Sequence, residues 1–571
     1  NSLGLNMAHK FGGKFSLNGH VNYNLNRNGN ISSMYQEQYL TGGNQYSASA
    51  NEGNSKGRSV NSSLLGEWKV DKSTRVNFSG NFGYTPNQNE SNSQSASFDA
   101  PPGVNHENLF SDFESVPRDI KVNRSENRSR SENESHRYHW AMGVMRRLNE
   151  KGTTLGLNIQ NSDSWGNNES FSLSETTYFR LKDKNGNDSV LYRNQYLKSP
   201  QRNNSWRVGL SFTQPVGKKV RLRVAYNWST RYERSNRDTY ELSSLASSDI
   251  YGELPSGYEA GYVDSLSNRS HSRSNGHDLN VGVNYSDDTW MFNASLGVTP
   301  QRRTIDRKVG KLYADTAMNM IDFQPMIWMS WRKKEMRVSL NYNGNTRQPS
   351  LSDLMPLTDN SNPLYITRGN PDLKQMFSHN IRLNFQNSPK GISANLGGQV
   401  EQNSVTQVMI YDVQTGGRET YPVNINGNWN LSGGASWWKR FGHFSLRLDM
   451  SGNHSNRVGM INEDKSLQPE KSTTRDTGLN CEAQASYQPS WGGIDLSTSW
   501  NYQYSLNSLN DNDTYTRYYN FGLNGYVDFP FGLQLRTDAT YNLRSGTNIQ
   551  KGEDDEILWN AGATWRFLKK K

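Results

Sequence analysis

The chain has almost no cysteine. Its single thiol, Cys481, excludes an internal disulfide framework and a cysteine-based zinc site; it reads as a small buried or lipid-facing residue. Long apolar runs are missing too. No stretch approaches the roughly 18 residues that a membrane helix requires, and mean hydropathy is −0.89. A secretory leader is not seen, because the opening NSLGLNMAHKFGG already alternates like a strand and its turn. The expectation is that this start lies inside a longer precursor. Histidine offers no obvious metal pair: His136 and His139 in HRYH stand on opposite faces of a strand. No nucleophile elbow or similar signature occurs, so no enzyme activity is expected and no cofactor or metal is assigned.

Charge of one sign is in excess without being concentrated. The net charge is +9 and the pI about 9.2, yet the basic residues are spread along the chain. They form no patch or RNA-binding motif, so nucleic acid is not an expected partner. Outer-membrane lipid and lipopolysaccharide, a polyanionic surface, suit scattered Arg and Lys better.

What the chain does have is aromatic residues. They make up 11% of a sequence only 33% hydrophobic, with 29 Tyr and 15 Trp, whereas disordered chains are aromatic-poor. Polar and aromatic together fit a structure with one apolar face and one wet face throughout. The period is two. In VRLRVAYNW, Val220, Leu222, Val224, Tyr226 and Trp228 share one face, and Arg221, Arg223, Ala225 and Asn227 the other. NSWRVGLSFT, TWMFNASLGV and NFGLNGYVDF alternate in the same way. This pattern predicts strands. The expected strands of about 10–15 residues exceed the usual five or six of soluble sheets and suit a tilted crossing of a bilayer.

Ten short turns separate pairs of strands: FGGK (11–14), DKST (71–74), NEKG (149–152), VGKK (216–219), DDT (287–289), RKKE (332–335), NSPK (387–390), KRFG (439–442), PSWGG (489–493) and FPFG (529–532). Between them lie loops expected to reach about fifty residues, such as 85–135. Short turns alternating with long loops describe a transmembrane antiparallel β-barrel with periplasmic turns and extracellular loops. Adding the terminal ILWNAGATWRF brings the visible strands to twenty-one. Even counts are the rule, so a 22-stranded barrel is expected, residues 1–571 forming one barrel domain with its first strand upstream. That size class holds a plug.

Other charged stretches are weaker signals. DND (511–513) and EDDE (553–556) carry oxygen ligands of the kind calcium takes, but read first as solvated loops. RDIKVNRSENRSRSE (118–132) could clasp an anionic saccharide or a partner protein, and reads first as a solvated loop as well.

One segment resembles a known family. RQPSLSDLMPLTDNSNPLYITRGNPDLKQMFSHNIRLNF (347–385) is similar to the second half of the barrel of TonB-dependent outer-membrane transporters, particularly the receptor-like plugged barrels of Bacteroidetes. The carrying residues are Arg347 and Pro349, then Asn362, Pro363 and Leu364, then Gly369, Asn370, Pro371, Leu373 and Lys374. They would lie in the seventh external loop. Where the family often continues Lys-Pro-Glu, this chain has Lys374-Gln375-Met376. Trp565 and Phe567 resemble the aromatic insertion signal of a terminal barrel strand, although LKKK follows them. The resemblance implies uptake of a bulky nutrient, of the iron-chelate, glycan, peptide or cobalamin class. It implies TonB as a partner, engaged through an upstream N-terminal segment, with a plug in that segment. Other outer-membrane proteins or a surface lipoprotein are further partners it allows. The alternative is a barrel serving as a structural or accessory subunit of an outer-membrane complex without transporting anything itself.

Overall fold

The computed structural model describes residues 2–38, 45–105, 108–245, 252–354, 358–362, 365–412, 417–462, 469–547 and 555–566. Its strands all join one sheet of 25. Twelve open the chain as an antiparallel meander. These are β1 Ser2–Phe11, β2 Phe15–Gln38, β3 Gln45–Lys69, β4 Thr74–Phe98, β5 Lys121–Arg147 and β6 Thr154–Lys182. There follow β7 Asp188–Val216, β8 Val220–Glu241, β9 Asn268–Ser286, β10 Trp290–Val309, β11 Leu312–Lys333 and β12 Met336–Arg347. Two short strands, β13 Thr358–Asn362 and β14 Tyr365–Arg368, leave the wall, which resumes with β15 Met376–Asn387 and β16 Ile392–Gln402. A second pair, β17 Ser404–Asp412 and β18 Gly417–Ile425, leaves it again. The wall then continues through β19 Trp429–Phe441, β20 Phe444–Asn462, β21 Glu470–Tyr487, β22 Gly492–Asn507, β23 Asn510–Asp528, β24 Leu533–Gly546 and β25 Asp555–Trp565.

Because β12 pairs directly with β15, and β16 with β19, the wall numbers twenty-one strands among the described residues. The ten short turns all fall at the strand junctions anticipated for them. In the first, Gly12 and Gly13 have φ of 52° and 70°, and the amide of Lys14 closes onto the Phe11 carbonyl at 3.2 Å. Side chains with a Cβ rarely adopt two successive left-handed residues, so glycine is required there.

Alternation sorts the wall into two faces. Phe212, Val224, Val281 and Leu296 are register neighbours on four successive strands. All are more than 40% exposed, whereas Ala225, one residue from Val224, is 7% exposed. An apolar row that leaves its side chains uncovered faces lipid; its polar alternates face the lumen.

The strands are taller than expected. β6 and β7 have 29 residues each, roughly 95 Å of extended chain. The segment 85–135, expected as one long loop, is largely the upper parts of β4 and β5, and only residues 99–120 connect them. The Arg-rich stretch 118–132 is therefore mostly strand, as are His136 and His139. Residues 511–513 lie within β23, and of EDDE only Asp555 and Glu556 fall among the described residues, opening β25. The physical reason is that ladder hydrogen bonds continue wherever both edges find a neighbour, whether or not the side chains keep an apolar face. Above the bilayer the inward side of these strands carries mainly Ser and Asn. Ser91 and Ser129 meet at 2.8 Å, Ser125 and Thr176 at 2.9 Å, and Ser172 donates to Asn127 at 3.1 Å.

The connection 99–120 folds back on the outward side of this tall wall. Phe98, Leu109, Phe113 and Val116 are buried there with Tyr46, Ala48 and Ala96. The Lys121 ammonium lies 4.4 Å from the centroid of the Phe113 ring, a cation–π contact that lets a lysine sit beside an apolar cluster.

Candidate functional site

The loop carrying the motif begins at the lumenal side of the wall. Arg347 ends β12 opposite Met376 and is exposed. Gln348 donates its amide to Asp322 of β11, which also accepts from Gln301 at 2.6 Å. Pro349 is buried. Ser350 then caps a single helical turn, Leu351–Leu354: its Oγ accepts from the Asp353 amide at 3.1 Å and donates to the Asp353 carboxylate at 2.6 Å. This reciprocal pair is the local chemistry of a helix N-cap. The Asp353 carbonyl in turn accepts from the Asn370 amide at 2.5 Å.

Gly369 to Lys374 forms the second anchor. Asn370 uses both ends of its side chain, accepting from the Asp372 amide at 3.0 Å and donating to the Pro422 carbonyl at 3.0 Å. The first bond is an Asx turn; the second reaches the next external loop. Pro371 is exposed and Leu373 half-buried. Lys374 contributes its backbone. Its amide donates to Asn424 Oδ1 at 2.6 Å, and its carbonyl accepts from Asn424 Nδ2 at 3.0 Å. The Asn424 Nδ2 also donates to the Asn403 carbonyl at 2.9 Å. Asn362 ends β13, with Tyr365 as its register partner. Pro363, Leu364 and Phe567 lie outside the described residues.

Strand pairing ties the same two loops together. β14 runs parallel to β18, with Tyr365, Ile366 and Thr367 beside Arg418, Glu419 and Thr420. Two crossed cation–π contacts hold that register: Arg368 over Tyr421 at 4.5 Å and Arg418 over Tyr365 at 5.0 Å. Arg368 also meets Glu419 at 3.0 Å. On the other edge, Val408–Ile410 of β17 runs parallel to the tip of β20.

This order is inverted relative to the wall. β17 extends β16 and β18 leads into β19, yet β17 joins β20 and β18 joins the β13–β14 hairpin. The hairpin is turned over where it leaves the barrel. At its base stand Asn403 (φ 54°) and Gly427 (φ 116°), two residues in the region that glycine favours and asparagine tolerates. A Cβ on Gly427 would stand 3.0 Å from Val458 Cγ2. Side chains replace the interrupted ladder: Asn456 donates to the Gly427 carbonyl at 2.8 Å, and Asn428 Oδ1 accepts from the Val458 amide at 2.7 Å.

The motif thus works as a clamp between two rim loops. Pro422 and Asn424, its partners across the loops, and Gly427 at the hairpin base were not anticipated. Their signal was present in PVNINGNWN (422–430), which repeats the Pro, Asn and Gly chemistry of RGNPDL. The terminal-strand residue Trp565 is 63% exposed, at the turn-side end of β25, and donates its indole N–H to the Phe531 carbonyl at 3.3 Å. His136 stacks on Trp165 at 5.0 Å and 12°. Among the described residues no cluster of three or more His, Cys, Asp or Glu could hold a metal ion.

A strand-crossed wall with an apolar outer face, short turns at one end and braced loops at the other is an outer-membrane barrel. Residues 146–571 match the outer membrane protein β-barrel family, and the chain belongs to that family as a multi-pass outer-membrane protein. No curated protein matches it. Among solved structures it is similar to the siderophore receptor PirA from Pseudomonas aeruginosa, at 11% identity, 99% of this chain, 79% of that one and a TM-score of 0.38. It is similar also to the copper transporter OprC, at 10% identity, 94% and 75% coverage and a TM-score of 0.46. A third is the alcaligin receptor FauA from Bordetella pertussis, at 10% identity, 95% and 81% coverage and a TM-score of 0.35.

Proposed function

We propose that this chain is the barrel of a TonB-linked importer of the Bacteroidetes receptor type, taking up a bulky nutrient such as an iron chelate, glycan, peptide or cobalamin. The observation that supports this reading is the state of the two outermost strands. β1 pairs only with β2, and β25 only with β24, among the described residues. In a meander of twenty-one strands the first and last point the same way, so they cannot pair antiparallel with each other. One further strand between them closes the ring at twenty-two, the size that houses a plug. That strand, the plug and the TonB contact belong to an upstream segment in this proposal. Nutrient would be captured among the external loops, and the brace between the seventh and eighth loops would keep the mouth in shape while a plug is rearranged.

The test begins with the intact mass and N-terminal sequence of the native polypeptide after gentle extraction. It continues with energised uptake in cells with and without TonB. A longer chain with a plug and TonB-dependent uptake supports the proposal. A native chain starting at Asn1 and co-purifying with a second barrel-completing protein would replace it with the structural-subunit reading.

A further inference from the structure

The outward side of the tall wall carries a cleft that the transport reading leaves unused. Its position follows from strand register. Tyr23, Val60, Tyr84, His136 and Trp165 form one continuous row across β2 to β6. Tyr84 and His136 lie 4.8 Å apart, and His136 stacks on Trp165. This aromatic row marks the membrane interface. The next outward row toward the extracellular end is Leu25, Arg58, Pro86, Glu134 and Asn167; above it come Arg27, Lys56, Gln88, Glu132 and Glu169. Together these two rows line a cleft of about 480 Å³. It opens on the lipid side of the wall, at the depth of the outer-leaflet headgroups.

The two walls of the cleft differ in how their charges are used. Glu132 is held by Arg130 at 3.1 Å, Glu134 meets His136 at 3.2 Å and Glu169 meets Lys198 at 3.6 Å. Opposite them, Arg27, Lys56 and Arg58 are exposed, and no ion pair holds them among the described residues. The cleft therefore offers three uncommitted cations on β2 and β3 and satisfied acceptors on β5 and β6. Guanidinium and ammonium groups donate to phosphate oxygens, while carboxylate and amide oxygens accept from hydroxyls.

We infer that this cleft seats the phosphorylated sugar headgroup of an outer-leaflet glycolipid. Arg27, Lys56 and Arg58 take its phosphate, Gln88, Glu132 and Glu169 take sugar hydroxyls, and the acyl chains descend past Tyr84 and Trp165 onto the apolar wall. A soluble phosphate has no such apolar continuation, which is why the lipid is the occupant. This inference rests on the outer-membrane location alone and is independent of whether the barrel transports.

The experiment measures binding of the full native chain, in detergent, to three probes: bisphosphorylated lipid A, enzymatically dephosphorylated lipid A and inorganic phosphate. The variant Arg27→Gln/Lys56→Gln/Arg58→Gln should bind bisphosphorylated lipid A roughly a hundredfold more weakly, three basic contacts being lost. Dephosphorylated lipid A should bind the native protein no better than the variant binds the phosphorylated form. Inorganic phosphate should not compete. The lumen-facing pair Arg221→Gln/Arg223→Gln should leave binding unchanged. If the triple variant loses heat-modifiable mobility, Arg27→Gln alone, at an exposed position, carries the test with an expected loss of about fivefold. Equal binding by native and variant protein, or indifference to the lipid phosphates, overturns the site. Displacement by inorganic phosphate overturns the lipid as its occupant.

Discussion

Asn424 holds Lys374 by both of its backbone polar groups: the side-chain oxygen accepts from the Lys374 amide at 2.6 Å and the side-chain nitrogen donates to the Lys374 carbonyl at 3.0 Å. One asparagine thus imitates a strand neighbour, and does so between two loops fifty residues apart in sequence.

Replacing it should loosen the rim and leave the barrel intact. Asn424→Ala removes both bonds to Lys374 and the one to Asn403. We expect a local cost of about 1–2 kcal/mol, since these bonds are partly solvated. Hydrogen exchange should rise in 365–374 and 404–425 while the wall strands stay protected. Unchanged exchange there would refute the clamp.

Gly427 should be the least replaceable residue at the base of the turned hairpin. Gly427→Val combines an unfavourable φ of 116° with a contact already close at Cβ. A loss of about 1–3 kcal/mol is expected, read as protease cleavage within 404–425. Asn403→Gly should be nearly silent, because glycine adopts the same φ freely.

Phe98 is fully buried in the cluster that ties residues 99–120 to the outer wall. Phe98→Ala should cost about 3–5 kcal/mol in that cluster, enough to free the connection. Added protease should then cut whole cells within 99–120, with the detergent-extracted barrel still heat-modifiable. Resistance equal to that of the native protein would show that the cluster does not hold the loop.

The turn at Asp71 should respond to acid. Its carboxylate accepts from the Ser73 hydroxyl at 2.7 Å and from the Ser73 and Thr74 amides at 2.6 and 2.7 Å. The Ser73 side-chain bond is the chief reason its pKa falls from 3.8 to about 2. The folded pKa lies below the unfolded one, so the stabilisation is complete above pH 3.8 and is lost as pH falls toward 2. Exchange of the Ser73 and Thr74 amides, corrected for intrinsic rates, should accelerate across that window in the native protein. In Asp71→Asn the step should vanish.

Trp565 is proposed as part of the insertion signal of the last strand. Trp565→Ala should lower the yield of folded barrel severalfold, with loss of the hydrogen bond to the Phe531 carbonyl changing the stability of what does fold by about 1 kcal/mol. Normal assembly of the variant would remove that role.

Much of the wall was legible because a bilayer-facing strand must alternate. Val220 to Trp228 could be read in no other way, and the ten turns followed from where such runs stop. The upper parts of β4 to β7 were not legible. There Ser and Asn on one side face Arg, Glu and Gln on the other, and with both sides wet the hydropathy has no period to read. The clamp was half legible. Asn370 and Pro371 announced a turn, but Asn424 acts on the backbone of Lys374 in another loop and Asn403 offers Asn424 only its own carbonyl, and backbone pairing leaves no pattern in side chains.

The inverted order of β17 and β18 also makes the rim a cross-link along the chain. β18 lies beside β14, which precedes it, and β17 beside the tip of β20, which follows it. The β16–β19 pairing closes the wall beneath the hairpin, so the contacts that hold the hairpin at the mouth are additional to the rungs of the wall, and severing them breaks none of those rungs.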